Sequence, residues 1–349
     1  MTYRVIQWAT GAMGKTCLRA ILDHPDLELA GLYVHSDRKV GRDAGEIARR
    51  QTTGILATKS FDEILAIDAD VVLHCPLLRP SYNFYDSDIC RLLASGKNVI
   101  SINNYFSYQN IAPNIAFPLL ASCHQGKATL AGTGLNPGFV AERIAAVASG
   151  VCLDLESITT REVFDCIGMP SNDYVFGVMG MGVEPDKIDL KKGGFAIMFR
   201  QMYSQSINAL ASSLGLTLDS IEADNQITLA PENITARAGV IYKGTIAATN
   251  WQHHGIVNGK RVITHSVNWV MGANLPGYKD SNHWDIQVKG KPGLKIQMNL
   301  TEAENDSSQT KAEQYAVAAM VIQSIPLVVK AKSGFYTFPI SPTWSARFN

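Results

Sequence analysis

The first fourteen residues constrain the fold of this chain more than any other stretch. Tyr3–Trp8 is a short, mostly apolar run that predicts a strand, residues 9–14 read Ala-Thr-Gly-Ala-Met-Gly, and residues 15–24 predict a helix. This is the GxGxxG pattern with alanine in place of its first glycine. We therefore predict a dinucleotide site with its phosphates at the helix N-terminus, with a tight turn that holds no ligand as the alternative. The predicted binding residues are Thr10, Gly11, Ala12, Met13 and Gly14.

A polar loop follows the second predicted strand, residues 27–34, where this architecture contacts the adenosine ribose. A carboxylate favours NAD at this place, and Asp37 offers one. The hydroxyl of Ser36 and the cations Arg38 and Lys39 instead suit the 2′-phosphate of NADP. We predict NADP as the cofactor, with NAD and a merely solvated loop as alternatives, and cofactor contacts from His35, Ser36, Arg38 and Lys39.

Strands and helices alternate over the first part of the chain. Predicted helices cover residues 60–67 and 87–95, and predicted buried strands cover residues 70–76, 99–102 and 128–134. This order predicts an α/β fold, a Rossmann-type doubly wound parallel sheet with right-handed crossovers. Ligands bind such sheets beyond the carboxyl ends of the strands, which selects the loops 9–14, 35–39, 74–80 and 103–106. Cys75 and Pro76 are accordingly predicted to contact the cofactor.

The pattern changes after residue 134. Residues 140–151 predict a helix, residues 193–214 predict a longer one, and the segments 155–164, 235–251, 261–271, 283–289 and 294–300 predict strands of a mixed or antiparallel sheet. Residues 311–324 predict a closing helix that returns to the first domain. We predict a dinucleotide-binding domain at 1–135, an α+β substrate and dimerisation domain at 136–304, and a C-terminal helix and tail at 305–349.

The bulk composition limits the partners. The chain has 349 residues, 46% of them hydrophobic, no formal net charge and a pI near 7.1. Bulk electrostatics therefore predict no nucleic-acid partner and no membrane partner. The six cysteines form no CxxC pair, so we expect reduced core thiols and no metal site. No signal-like start and no run of eighteen apolar residues is present, which predicts a cytoplasmic protein.

Four segments together resemble a known family: residues 8–14, 96–101, 132–139 and 319–326. They are similar to dehydrogenases with a dihydrodipicolinate-reductase-like N-terminal domain, which include 2,4-diaminopentanoate dehydrogenase and the native amine dehydrogenases. The segment 132–139, Gly-Thr-Gly-Leu-Asn-Pro-Gly-Phe, is the most specific.

This resemblance implies a homodimeric, two-domain oxidoreductase that uses NAD(P)H on a CH–NH2 group. The implied partners are a small amine, an aldehyde or ketone, and ammonia, with hydride delivered to an iminium carbon. It also places the nicotinamide near residues 136–139, which adds Asn136 to the predicted cofactor residues.

One position departs from the family pattern. The resemblance implies a glutamate just after the strand that ends at Ser101 or Ile102, whereas this chain has Asn103 and Asn104. Asparagine can accept a hydrogen bond from ammonia but cannot take up a proton near neutral pH. We predict Asn104 and Asn103 as the catalytic positions. Four alternatives stay open: another base, an engineered variant, an NADPH-dependent carbonyl or imine reductase, and a non-catalytic NAD(P)-binding sensor.

The imine chemistry also requires an apolar pocket that excludes water. We predict that this pocket is lined by Phe139, Phe164, Tyr174, Phe176, His265 and Trp269, with plain core packing as the alternative. Glu142, in the first turn of a predicted helix, matches the helix dipole and is expected at the surface, with a position in the cleft as the alternative.

Overall fold

The computed structural model describes residues 2–79, 83–103, 105–107, 113–272, 275–278, 281–304, 308 and 310–339. The chain forms two compact units. The first comprises Met1–Leu78, Asn83–Gly138 and Thr301–Phe338, and the second is mainly Phe139–Leu300. The first unit therefore combines the N-terminal part of the chain with a segment that returns near its end.

The first unit contains one sheet of seven strands. They are β1 (Tyr3–Trp8), β2 (Leu27–Tyr33), β3 (Ala57–Thr58), β4 (Val71–His74), β5 (Asn98–Ser101), β6 (Thr129–Gly132) and β16 (Gly334–Tyr336). All neighbouring strands pair in parallel, in the order β16-β6-β5-β4-β1-β2-β3. The carboxyl ends of β1, β2, β4 and β5 therefore lie side by side at one edge of the sheet.

Helices cover both faces of this sheet. They are α1 (Ala12–Asp23), α2 (Ala44–Ala48), α3 (Phe61–Ala66), α4 (Asp86–Ala94), α5 (Pro113–Gly126) and α9 (Ala312–Val329). On one face Leu18 of α1 and Val321 of α9 belong to the same buried cluster as Val5 of β1. On the other face, Ile64 of α3 lies with Ile6 over Gly31. This arrangement confirms the predicted Rossmann-type doubly wound fold.

In the first unit, one helix cap follows a known sequence pattern and two helices were not predicted. Ser60 caps α3 by accepting a hydrogen bond from the main-chain N–H of Glu63 at 3.2 Å, as the capping-box pattern predicts. Helices α2 and α5 were not predicted, because α2 is only one turn long and α5 contains Pro118.

Helix α9 is longer than predicted. It runs to Val329 with Pro326 inside it, and it buries Ala318, Val321 and Ile325, whereas Tyr315 is exposed. Among the described helices, α9 is the one long and apolar enough to cross a membrane by length and composition. Its packing in the cluster with α1 accounts for the apolar composition as that of a core helix.

The second unit is built on a mixed sheet. Its strands are β7 (Asp154–Asp165), β8 (Ser220–Ala223), β9 (Gln226–Leu229), β12 (Ile246–Val257), β13 (Lys260–Val270), β14 (His283–Lys291) and β15 (Leu294–Asn299). The order is β15-β14-β7-β13-β12-β8, and β9 also pairs with β12. Strands β7 and β13 are parallel and the other pairs are antiparallel. This mixed sheet agrees with the predicted α+β character.

The helices of the second unit are α6 (Ala145–Ser149), α7 (Asn172–Val175) and α8 (Gly194–Ser213). Helix α8 packs on β12 and β13 and buries Phe199 and Tyr203 against them. It therefore covers one face of the sheet, and successive residues of each strand alternate between this face and the opposite one.

Two predicted elements of the second unit differ in detail. The segment 235–251 is not one strand, because β10 (Ile234–Ala236) and β11 (Gly239–Ile241) form a separate hairpin before β12. Gly239 and Gly244 have positive φ there and break the extended run. The predicted helix 140–151 begins as a π-helix over Val140–Ile144 and continues as α6.

Candidate active site

The turn between β1 and α1 is held by the buried side chain of Gln7, which was not predicted as a site residue. Gln7 is fully buried, and its Nε2 donates hydrogen bonds to the carbonyl oxygens of Trp8 at 3.2 Å and Ala9 at 3.0 Å. Ala9 has a φ of 72°, which alanine adopts rarely. The Gln7 amide therefore stabilises a strained residue at the start of the glycine turn.

The two glycines of this turn have different surroundings. A Cβ atom on Gly14 would overlap the carbonyl oxygen of Ala9, so the close approach of α1 to the turn requires glycine. A Cβ atom on Gly11 would meet no atom within 4 Å. Open space therefore lies over Gly11, where the helix begins.

The N-terminus of α1 is suited to an anion. No side chain caps it, and its first turn contains no acidic residue. The first main-chain N–H groups of a helix carry a partial positive charge and need acceptors. Together with the open space over Gly11, this end of the helix fits the pyrophosphate of a dinucleotide, next to the predicted residues Thr10, Ala12 and Met13.

Positive charge gathers beside this turn. Lys39 Nζ donates to the Thr10 carbonyl oxygen at 2.8 Å and to the Thr10 hydroxyl at 2.9 Å. Partial burial lowers the pKa of Lys39, and the charges of Lys15 and Arg42 lower it further. These three cations therefore lie close enough to influence one another.

The other residues of the loop after β2 are exposed. His35, Ser36, Asp37 and Arg38 all lie at the surface, and residues 37–39 form a single 3-10 turn. Asp37 forms an ion pair with Lys59 at 2.7 Å, and this contact is the main reason that the pKa of Asp37 is lowered. The loop carboxylate thus already has a cationic partner, while the guanidinium of Arg38 is accessible.

A hydrogen-bonded network joins the ends of β4 and β5. The hydroxyl of Ser101 lies 3.0 Å from His74 Nδ1 and donates to the main-chain oxygen of Asn103 at 2.9 Å. Asn103 Nδ2 donates to the carbonyl oxygen of Pro76 at 2.8 Å. Asn103 therefore ties the loop after β5 to the loop after β4. The predicted catalytic position Asn104 lies outside the described residues.

His74 and Cys75 have buried side chains. Burial lowers the pKa of His74 to about 3, so the imidazole is neutral, and its Nε2 has no partner among the described residues. Cys75 Sγ lies 3.9 Å from Cys17 Sγ in the core against α1. A cofactor contact at Cys75 would therefore involve its main chain.

The junction segment 134–138 folds tightly on itself. A Cβ atom on Gly138, which has a φ of +121°, would lie 2.6 Å from the main-chain nitrogen of Gly134. A Cβ atom on Gly134 would lie 2.9 Å from the carbonyl oxygen of Pro137. Both glycines are therefore required by the turn that presents the half-buried Asn136.

Three of the predicted pocket residues lie on the α8-covered face of the second sheet. Phe164 of β7 is directly opposite Trp269 of β13, and Trp269 contacts Phe199 edge-on at 5.2 Å between ring centroids. His265 Nδ1 lies 2.8 Å from the hydroxyl of Thr160, and burial lowers the pKa of His265 to about 4. The described contacts thus bring Phe164, His265 and Trp269 to one face.

The remaining predicted pocket residues are more dispersed. Burial raises the pKa of Tyr174, and electrostatic interactions with Cys166 and Glu162 raise it further. The Phe176 ring instead lies over Gly182 and Gly239, each of which would bring a Cβ atom within 3.2 Å of it. Phe139 is half-buried at the start of the π-helix.

Two carboxylates are buried in the part of the chain that the structure describes, Glu142 and Glu162. Glu142 is 4% exposed in the π-helix, so the expected surface position is wrong. Glu162 Oε2 accepts a hydrogen bond from Trp284 Nε1 at 2.7 Å. Glu162 was not predicted as a site residue, although it shares a strand face with Ile158 and Phe164, and an acidic residue on an apolar face was the available signal.

The fold and these sites define an NAD(P)-dependent oxidoreductase. Residues 139–347, more than half of the chain, match the family model described as 2,4-diaminopentanoate dehydrogenase C-terminal domain. Residues 5–81 match the model described as dihydrodipicolinate reductase, N-terminus. The chain therefore belongs to the 2,4-diaminopentanoate dehydrogenase family and is an amine dehydrogenase-like oxidoreductase, which confirms the resemblance seen in the sequence.

Individual relatives match nearly the full length of this chain. An amine dehydrogenase of Streptomyces virginiae is 27% identical over 345 residues, which is 95% of this chain and 94% of the relative. A 2,4-diaminopentanoate dehydrogenase of Acetoanaerobium sticklandii is 21% identical over 96% of this chain and 92% of its own. The solved structure of an amine dehydrogenase from Mycobacterium smegmatis superposes with a TM-score of 0.80 at 17% identity, covering 97% and 95% of the two chains. At that identity the structural match supports the fold alone.

Proposed function

We propose that this chain catalyses the reversible reductive amination of small aldehydes or ketones with ammonia, using NADPH, as a cytoplasmic homodimer. The observation that carries this proposal is the full-length similarity to proteins named amine dehydrogenase and 2,4-diaminopentanoate dehydrogenase. Membership of the family supports this reaction type, and the residues of this chain suggest the roles described next.

The first unit would hold the cofactor. The N-terminus of α1 and the open space over Gly11 fit the pyrophosphate, and Asn136 lies in the tight segment near which the resemblance places the nicotinamide. Arg38 and Lys39 would bind the 2′-phosphate, because a lysine beside two other cations gains by accepting an anion. When bound, NADPH supplies the hydride that reduces the carbon of the C=N bond.

The reaction also needs a group that takes a proton from ammonia and returns one during loss of water. Asparagine cannot serve in this role, so the glutamate implied at the loop after β5 has to be replaced by another carboxylate. Of the two buried carboxylates, we assign the role to Glu162. It lies on the α8-covered face of the second sheet, two residues from Phe164, which is a predicted pocket residue.

The environment of Glu162 suits proton exchange. Trp284 Nε1 donates to one carboxylate oxygen and fixes the orientation of the group. Phe164 follows Glu162 on the same strand face, and Trp269 lies opposite Phe164. These aromatic side chains provide an apolar wall, and an apolar wall protects an imine from hydrolysis.

The proposal is tested by following NADPH oxidation with a panel of small aldehydes and ketones, with and without ammonium. We expect oxidation only when both the carbonyl compound and ammonium are present, with the amine identified by mass spectrometry. NADPH labelled with deuterium at C4 should transfer the label to the carbon that bears the new amino group.

Two other outcomes would contradict the proposal in different ways. Equal oxidation without ammonium, with an alcohol as product, would identify a carbonyl reductase. Tight NADPH binding without turnover of any carbonyl compound would favour a binding protein. Light scattering of the purified chain tests the homodimer separately.

A further inference from the structure

A polar cavity of about 260 Å³ lies in the second unit on the face of the sheet opposite α8. Side chains of a strand alternate between faces, so Arg161 points away from the side occupied by Thr160 and Glu162. The walls include Thr159, Arg161, Asn250, Gln252, Ser266 and Asn268. This cavity, named here the sheet pocket, is therefore separate from the aromatic group around Glu162.

The strand register brings these polar residues into rows. Arg161 of β7 is opposite Ser266 of β13, and Ser266 is opposite Gln252 of β12. In the next row Asn268 of β13 is opposite Asn250 of β12. The sheet pocket is therefore built mainly from the central strands, with the loop residues Pro276, Gly277 and Tyr278 completing its lining.

The floor of the sheet pocket is ordered by hydrogen bonds. Asn268 Nδ2 donates to the carbonyl oxygen of Glu162 at 2.9 Å and to Ser266 Oγ at 3.0 Å. Ser266 Oγ in turn donates to Asn250 Oδ1 at 2.9 Å. Because the oxygen of the Asn250 amide is used in this way, its NH2 group remains a donor, and no described residue accepts from it.

Arg161 brings a charge to this pocket. Its guanidinium lies 3.6 Å from Asp285 Oδ2, which is longer than a hydrogen bond, and the side chain is 37% exposed. Among the described residues it makes no closer polar contact. Arg161 is therefore ion-paired with Asp285, the residue opposite it on β14, but its guanidinium makes no hydrogen bond to a described residue. A guanidinium with donors left over, next to amide and hydroxyl donors, can bind a planar carboxylate through two parallel hydrogen bonds.

We propose that the sheet pocket binds a small carboxylate, with its two oxygens on Arg161 and its remaining contacts on Asn250, Gln252 and Thr159. The volume lies just below the usual range of ligand sites, which suits a ligand of the size of an amino acid or a short dicarboxylate. A single arginine matches the single charge of a carboxylate better than the higher charge of a phosphate.

The test is calorimetric titration of the full chain with acetate, succinate and glutarate, and with succinamide as the uncharged counterpart. We expect a carboxylate to bind, succinamide not to bind, and Arg161→Gln to weaken binding by about tenfold or more, as for loss of one charge-assisted pair. Arg261→Gln is the matched control. It removes an exposed arginine on β13 whose nearest carboxylate, on Asp224, is also distant at 3.8 Å.

Folding and assembly are checked with the same variants. Arg161→Gln should melt like the native chain, and Gln252→Ala, which removes a donor without removing charge, should weaken binding less than Arg161→Gln. Absence of carboxylate binding to the native chain, or an equal loss in Arg161→Gln and Arg261→Gln, would overturn the proposal. A change of oligomeric state in Arg161→Gln with no carboxylate binding would likewise overturn it and identify the face as a contact between two copies.

Discussion

The ammonium group of Lys39 donates to both the carbonyl oxygen and the hydroxyl of Thr10, at 2.8 and 2.9 Å. These contacts fix a cation from the loop after β2 against the glycine turn after β1. Lys15 and Arg42 are near enough to depress the pKa of Lys39. Lys39, which is proposed to select NADPH, therefore already joins the loop that would bind the 2′-phosphate to the turn that would bind the pyrophosphate.

Replacing Lys39 by methionine, together with Arg38 by alanine, should change cofactor preference. We expect KM for NADPH to rise about tenfold or more and KM for NADH to change far less, because only NADPH carries the 2′-phosphate. Steady-state kinetics with both cofactors measures the ratio. Lys289→Met is the control, since Lys289 is an exposed lysine of the second unit. Equal losses for both cofactors would refute the assignment of the phosphate site.

The two glycines of the turn should respond differently to alanine. A Cβ atom at Gly14 overlaps the Ala9 carbonyl oxygen, so Gly14→Ala should lower the free energy of unfolding by about 1–3 kcal/mol, the usual cost of overpacking. Gly11→Ala has open space around its Cβ atom and should leave unfolding unchanged while weakening NADPH binding. Urea unfolding and cofactor titration separate the two effects. A loss of stability in Gly11→Ala would contradict this account of the turn.

The sequence predicts the first unit well because its signals are local. Apolar strands, the glycine turn and the Ser60 cap each depend on a few neighbouring residues. The face of α9 was not predictable in this way. The helix is apolar nearly all round, so only its packing against α1 and the strands β4, β5 and β6 decides that Val321 is buried and Tyr315 exposed.

The site was less predictable because its supports act across distant strands. The hydrogen bond from Asn103 Nδ2 to the Pro76 carbonyl oxygen spans 27 positions of the sequence, and the one from Trp284 Nε1 to Glu162 Oε2 spans 122. No local sequence pattern predicts such a pair. Gln7 and Glu162 nevertheless left a weak signal in the sequence, since each is a polar residue on a strand face that also carries apolar residues.

Glu162→Gln should lower kcat for amination at least about a hundredfold, the usual contribution of general acid–base catalysis. Glutamine keeps an oxygen that can accept from Trp284 Nε1, so folding should be preserved. NADPH binding should be unchanged, because the variant lies in the second unit. Stopped-flow and steady-state kinetics across pH would also show loss of one ionisation from the pH profile.

Glu142→Gln provides the comparison, since Glu142 is the other buried carboxylate of the described chain. A small effect on kcat is expected there. If Glu142→Gln abolished amination and Glu162→Gln did not, the proton-exchanging role would belong to the π-helix and not to β7.

Three buried histidines should make the protein sensitive to acid. Burial is the main cause that lowers the pKa of His74 and His253 to about 3 and that of His265 to about 4. In the unfolded chain each titrates near 6.5, so the unfolded state binds more protons as the pH falls below that value. The folded state is therefore most stable above about pH 6.5 and loses stability as the pH falls, down to about pH 4 for His265 and about pH 3 for His74 and His253, with about 2 kcal/mol lost per histidine at pH 5.

His253→Phe isolates one of these contributions. His253 is fully buried beside Tyr203, and neither ring nitrogen has a partner among the described residues, so phenylalanine can replace the ring without removing a hydrogen bond. The free energy of unfolding, measured with urea, should fall from pH 7 to pH 5 in both proteins. The fall should be about 2 kcal/mol smaller in His253→Phe than in the native chain. His24→Asn, at an exposed position, should leave the drop unchanged. An identical pH dependence in His253→Phe and the native chain would mean that His253 is not held neutral in the folded state.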